Sequence, residues 1–153
     1  MKEIEAVPFL NLGSVHQPLI GEFQKAFNQA LETGRFIGGQ EVDGFEKEFA
    51  EFCEADFCAG VGSGTDALRF ALKAMGIGCE DVVITVAHTF IATSEAISQV
   101  GATPVFIDID AESYNMDPHH LREYIELNCV FERDSKVLRR KSDGKQVKCV
   151  VPV

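Results

Sequence analysis

Apolar residues recur at three- and four-residue steps over the first third of the chain, then gather into short unbroken runs separated by glycine turns. Leu19, Phe23, Ala26, Phe27, Ala30 and Leu31 share one helical face, and Thr33-Gly34 supplies a stop signal. Ala6 to Gly13 reads as an extended arm ahead of Pro18, and Arg35 to Gly39 as a glycine-rich loop. A second amphipathic helix follows, with Val42, Phe45, Phe49 and Phe52 as its expected buried stripe and Glu41, Glu46, Glu48 and Glu51 turned away. Phe57 to Val61 is the first strand candidate, and the helix after it is expected to bury Leu68, Ala71, Leu72 and Met75. Val82 to Val86 is β-branched and lacks alternation, as expected of a strand covered on both faces. Phe90 to Val100 has a helical pattern, Pro104 to Asp108 forms a third strand, Asp117-Pro118 opens another helix, and Val147 to Val153 gives a fourth strand. Strands alternating with helices predict the α/β class with a mainly parallel sheet.

The segment Asn128 to Gln146 breaks this rhythm and is expected to be a long loop or a small β-hairpin around Lys141-Ser142-Asp143-Gly144-Lys145. Charge changes sign there. The chain carries a net −10, yet Asn128 to Cys149 holds seven basic and three acidic residues. The acidic remainder argues against nucleic acid or an anionic membrane as partner, and the basic run reads as a solvated loop. Five scattered cysteines without a Cys-x-x-Cys pair suggest neither zinc nor a disulfide framework, and point to a reducing, cytoplasmic compartment. No run of apolar residues has the length of a membrane span. The last residue falls in an apolar strand with no helix to cover it, so the sequence is expected to be the N-terminal portion of something longer.

Three places follow strand ends, where open α/β sheets bind ligands. The first is Gly62-Ser63-Gly64-Thr65-Asp66, a glycine turn into a helix start, whose backbone N–H groups suit a phosphate; the alternative is a plain tight turn. Its likeness to a dinucleotide fingerprint is weak, because Glu80 and Asp81 precede the next strand and no acid closes it. The second is Ala87-His88-Thr89-Phe90, where Phe90 could lie against a planar ring or simply begin the core of the next helix. The third is Asp108-Ile109-Asp110, where a turn or capping role outweighs metal binding.

Taken together, these motifs carry a resemblance. Pro8-Phe9-Leu10-Asn11-Leu12, Gly34 to Val42, Phe45-Glu46, Gly62 to Leu68, Thr89 to Thr93 and Gly101 to Asp110, in that order, resemble the sugar-nucleotide aminotransferases of the DegT/StrS type. The resemblance implies a partial three-layer α/β/α large domain of a fold-type I enzyme dependent on pyridoxal 5'-phosphate (PLP). It implies that Ser63, Gly64, Thr65 and Asp66 hold the cofactor phosphate and that Phe90 stacks on the pyridine ring. Phe9, Asn11, Arg35 and Phe36 would lie near a nucleotide-linked keto sugar or a partner subunit, in a homodimer that takes its amino group from a donor such as glutamate. Asn128 to Gln146 is long against the family's usual short link and reads as an insertion. None of the eight lysines matches the family's Schiff-base position, so the chain alone is expected to be inactive. A non-catalytic or regulatory relative, and more remotely a nicotinamide-dependent oxidoreductase, are the alternatives.

Overall fold

A computed structural model describes residues 7–153. The part of the predicted arm at Ala6 lies outside the described residues. The chain divides into two units at Gly60/Val61.

In the first unit a short helix, α1 (Leu12–His16), and a 3-10 turn (Gln17–Leu19) precede α2 (Ile20–Thr33) and α3 (Gln40–Phe52). The predicted arm is therefore helical from Leu12, because the Asn11 side chain accepts from the Ser14 N–H and nucleates a turn. Gly34 closes α2 in the left-handed conformation that the stop signal predicted. The periodicity of α2 and α3 is as read, but its consequence is not. Val42, Phe45, Phe49 and Phe52 are exposed, and Ala50 is the one buried residue of α3. The α3 rings stack on one another instead, Phe45 to Phe49 at 5.5 Å and Phe49 to Phe52 at 6.2 Å between centroids. Glu46 also departs from expectation: it turns back to accept the Gly60 N–H at 2.6 Å.

The second unit is a layered α/β structure. It comprises α4 (Gly64–Ala74), β1 (Asp81–Val86), α5 (Ala92–Gln99), β2 (Thr103–Ile107), α6 (Pro118–Asn128), β3 (Cys129–Glu132), β4 (Val137–Arg140) and β5 (Gln146–Val150). The strands lie in the order β2-β1-β5-β4-β3. β1 runs parallel to both β2 and β5, whereas β4 is antiparallel to β3 and β5. The sheet is thus mixed, parallel in its β2-β1-β5 half and antiparallel where the segment read as an insertion forms a hairpin.

Every residue of β1 is buried, as its unbroken β-branched run requires. Val83 packs with Leu72 of α4 and Ala96 and Ile97 of α5 on one face. Val82, Ile84 and Val86 pack with Ile107, Met116 and Leu121 on the other. These are the three layers. The α4 periodicity was read one step too wide: Leu72 is buried and Leu68 half-buried, while Ala71 and Met75 are exposed.

Phe57 to Val61 is not a strand. Phe57 is 90 % exposed, and no described strand offers the segment a ladder. An apolar run has strand propensity, but pairing needs a neighbour's free edge. The predicted last strand is likewise shorter, ending at Val150.

The basic run is not idle surface. Lys141 Nζ donates to the carbonyls of Glu126 (3.2 Å) and Leu127 (2.8 Å), closing the C-terminus of α6. Lys145 Nζ donates to Cys79 O (2.9 Å) and Thr103 Oγ1 (3.1 Å), and Lys148 Nζ to Gly76 O (2.6 Å). These bonds tie the start of β5 to the starts of β1 and β2.

Candidate active site: the first turn of α4 and the loops beyond the parallel strands

α4 returns to β1 through Met75 to Glu80, and its Leu68 and Leu72 pack over the β1–β5 face. That antiparallel arrangement brings the first turn of α4 to the C-terminal end of the parallel strands, where the loops after β1 and β2 also lie.

The helix starts as its sequence dictates. Ser63 is extended and its Oγ accepts the Asp66 N–H at 3.1 Å, while Ser63 O accepts the Ala67 N–H at 3.0 Å. The N–H groups of Gly64 and Thr65 have no acceptor among the described residues. A side chain added at Gly64 would meet nothing within 4 Å, so the space before this turn is open. A Cβ at Gly62 would sit 3.1 Å from Asp66 Oδ2. Glycine at 62 therefore leaves room for the carboxylate as well as for any ligand. Asp66 Oδ1 in turn accepts from Arg69 Nη2 at 2.6 Å. Free N–H donors at the positive end of a helix dipole have the chemistry that suits an anion.

Phe90 precedes α5 rather than beginning its core. Its ring is 76 % exposed, while its carbonyl accepts the Thr93 N–H at 3.1 Å. The turn is held by Thr89 N–H to Ala87 O (3.0 Å) and by the Thr89 and Thr93 hydroxyls at 2.9 Å. The core alternative for Phe90 is thus overturned, because the buried residues of α5 are Ala92, Thr93, Ala96 and Ile97. Beside it, the ring of His88 lies 5.9 Å from that of Tyr114, so the loops after β1 and β2 meet.

The third place is a turn. Asp108 Oδ1 accepts the Ile109 N–H, and Asp110 Oδ1 accepts the N–H groups of Glu112 and Ser113. Those bonds hold the Asp110 carboxyl below its usual range, the Ser113 backbone contributing most. Asp81, at the opposite end of β1, accepts the Gly78 N–H at 2.9 Å and lies 3.4 Å from Lys148 Nζ. The residues that follow β1, Ala87-His88-Thr89, include no acid of the kind that holds a dinucleotide's ribose.

The four substrate candidates belong to the first unit. Phe9, Arg35 and Phe36 are exposed, and Asn11 caps α1. The sequence reading missed the pairing of Asp66 with Arg69. Their i,i+3 spacing on a helix was the available signal.

Residues 18–131 match the model of the DegT/DnrJ/EryC1/StrS aminotransferase family. The chain belongs to this family. It is 44% identical over 119 residues to the dTDP-3-amino-3,6-dideoxy-alpha-D-galactopyranose transaminase of Aneurinibacillus thermoaerophilus, a match covering 78% of this chain and 33% of that protein. Among solved structures, Streptomyces venezuelae DesV in complex with a ketimine intermediate is 42% identical, with a TM-score of 0.77, over 80% of this chain and 33% of that one. A family member from Brucella abortus is 31% identical with a TM-score of 0.82, over 96% and 36%. The chain spans about a third of the length of the relatives it matches. Family membership accounts for the glycine turn and helix start at Gly62 to Leu68 without invoking a dinucleotide fingerprint.

Proposed function

We propose that this chain carries the cofactor-phosphate and ring-stacking part of an aminotransferase that moves an amino group, from a donor such as glutamate, to a nucleotide-linked keto sugar. The observation that carries the reading is the pair of uncommitted N–H groups at Gly64 and Thr65, in open space, inside a family motif. These residues fit PLP. Gly64 and Thr65 offer backbone donors to a phosphate, the Ser63 and Thr65 hydroxyls add side-chain donors, and the Asp66 N–H, engaged with Ser63 Oγ, completes the turn. Phe90 presents a free aromatic face for a planar heterocycle. When bound, PLP supplies the electron sink that amino transfer requires.

In this reading Phe9, Asn11, Arg35 and Phe36 serve the sugar nucleotide or a partner subunit. The chain itself comprises an N-terminal arm and the first part of the cofactor-binding domain, with residues 128–146 inserted. Its lysines do not supply the Schiff base. None of the eight matches the family's Schiff-base position, and Lys141, Lys145 and Lys148 are engaged with the carbonyls of Glu126 and Leu127, Cys79 and Gly76 respectively.

Pyridoxamine 5'-phosphate tests the reading cleanly, because it lacks the aldehyde that would label surface lysines. The chain is expected to bind it in a fluorescence titration more tightly than pyridoxamine, and Phe90→Ala to weaken both. Equal affinity for the two ligands would sink the phosphate assignment. Given PLP, glutamate and a dTDP-linked keto sugar, the chain alone is expected to release no 2-oxoglutarate; release would show that it holds the whole catalytic apparatus.

A further inference from the structure

Asp66 creates a difficulty for any anion received by the first turn of α4. Its carboxylate stabilises the helix start, yet Oδ2 lies 3.1 Å from where a side chain at Gly62 would begin, in the same glycine turn that carries the free N–H groups. An unneutralised carboxylate there would repel a phosphate.

Arg69 is placed to remove that repulsion. Its Nη2 donates to Asp66 Oδ1 at 2.6 Å, and its guanidinium lies 4.7 Å from the centroid of the Phe70 ring. Its Nε is shut off from solvent without a hydrogen-bond partner. The guanidinium is thus oriented by the carboxylate and the ring, at the expense of one of its own donors. An exposed i,i+3 pair formed only for helix stability could keep all its donors in water.

The geometry points to Arg69 as a positioning residue of the anion site, one that neutralises Asp66 so that the turn accepts a phosphate. The inference rests on the phosphate reading above. Arg69 need not touch the cofactor; it acts through Asp66.

The test compares the wild-type chain with Arg69→Met, Arg69→Lys and the double variant Asp66→Asn/Arg69→Met. Affinities for pyridoxamine 5'-phosphate and pyridoxamine are measured alongside circular dichroism and thermal unfolding. Arg69→Met is expected to weaken the phosphate ligand by about tenfold while leaving pyridoxamine affinity unchanged. Arg69→Lys keeps the charge and is expected to stay within about threefold of wild type. The double variant is expected to recover most of the loss, since the repelling charge goes with its partner. Unchanged phosphate affinity in Arg69→Met overturns the proposal. So does a double variant as weak as the single, which would mean that Arg69 acts by packing. Should Arg69→Met fail to fold, Arg69→Lys and the double variant decide: a double variant that folds but binds phosphate no better than pyridoxamine overturns it. If the wild-type chain itself does not distinguish the two ligands, the phosphate reading fails first, and that outcome is visible before any variant is made.

Discussion

The two units use the same kinds of residue to opposite effect. In α2 and α3 the phenylalanines and leucines form helical stripes as regular as any in the chain, yet Phe23, Phe27, Leu31, Phe45 and Phe49 are exposed. In the second unit Val82, Val83, Ile84, Val86, Ala96 and Ile97 are shut off from water altogether. Hydrophobic periodicity states which face of an element is apolar. Whether that face is covered depends on another element reaching it, and a sheet provides two such surfaces while a pair of helices that barely meet provides none.

Core truncation is the strongest challenge to this contrast. Ile84→Ala is expected to cost ~2–5 kcal/mol in urea unfolding followed by circular dichroism. Phe27→Ser, by contrast, should stay under about 1 kcal/mol, as for surface substitutions generally. A comparable loss from Phe27→Ser would mean that the stripe is covered in solution, and sedimentation at rising concentration would then show association.

A smaller effect sharpens the comparison at the helix starts. Ser63→Ala removes the side-chain acceptor of the Asp66 N–H and is expected to cost about 1 kcal/mol in the same assay. Replacing Asn11 by Ala, in the exposed α1, should leave the unfolding of the sheet unit unmoved.

The smallest effect is local and depends on pH. Arg140 beside Asp143 holds its carboxyl down to about 2, and hydrogen bonds from Ser135 and Arg139 hold Glu132 below its usual range. A carboxylate depressed in the folded state stabilises it above the unfolded value and loses that contribution as pH falls toward the folded value. Protection of the β3–β4 hairpin amides, taken relative to the unstructured chain at each pH, is therefore expected to fall between about pH 4 and 2, before protection in β1 does. Simultaneous opening of both would show that hairpin and parallel half form one cooperative block.

Much of the fold was legible from residue order because local physics decided it. Gly34 ended α2, Asp117 capped α6 by accepting the His119 N–H, and the unbroken run of β1 was buried throughout. The first turn of α4 was equally legible, since Ser63 and the glycines act on their own neighbours. The reading failed where distant segments had to meet. Phe57 to Val61 found no partner strand, the α3 stripe found no cover, and Glu46 turned to Gly60 rather than to solvent.

The sequence by itself determined the ends of α2 and α6, the buried run of β1 and the glycine turn into α4, along with the family to which the motifs belong. All of these rest on contacts a few residues apart. The tertiary structure alone decided that the basic run becomes a hairpin whose lysines tie β5 to β1 and β2, that Phe90 stands free of the core, and that Arg69 is committed to Asp66. Each of these turns on the distance and direction between side chains in three dimensions, which charge counts and periodicity along the chain do not encode.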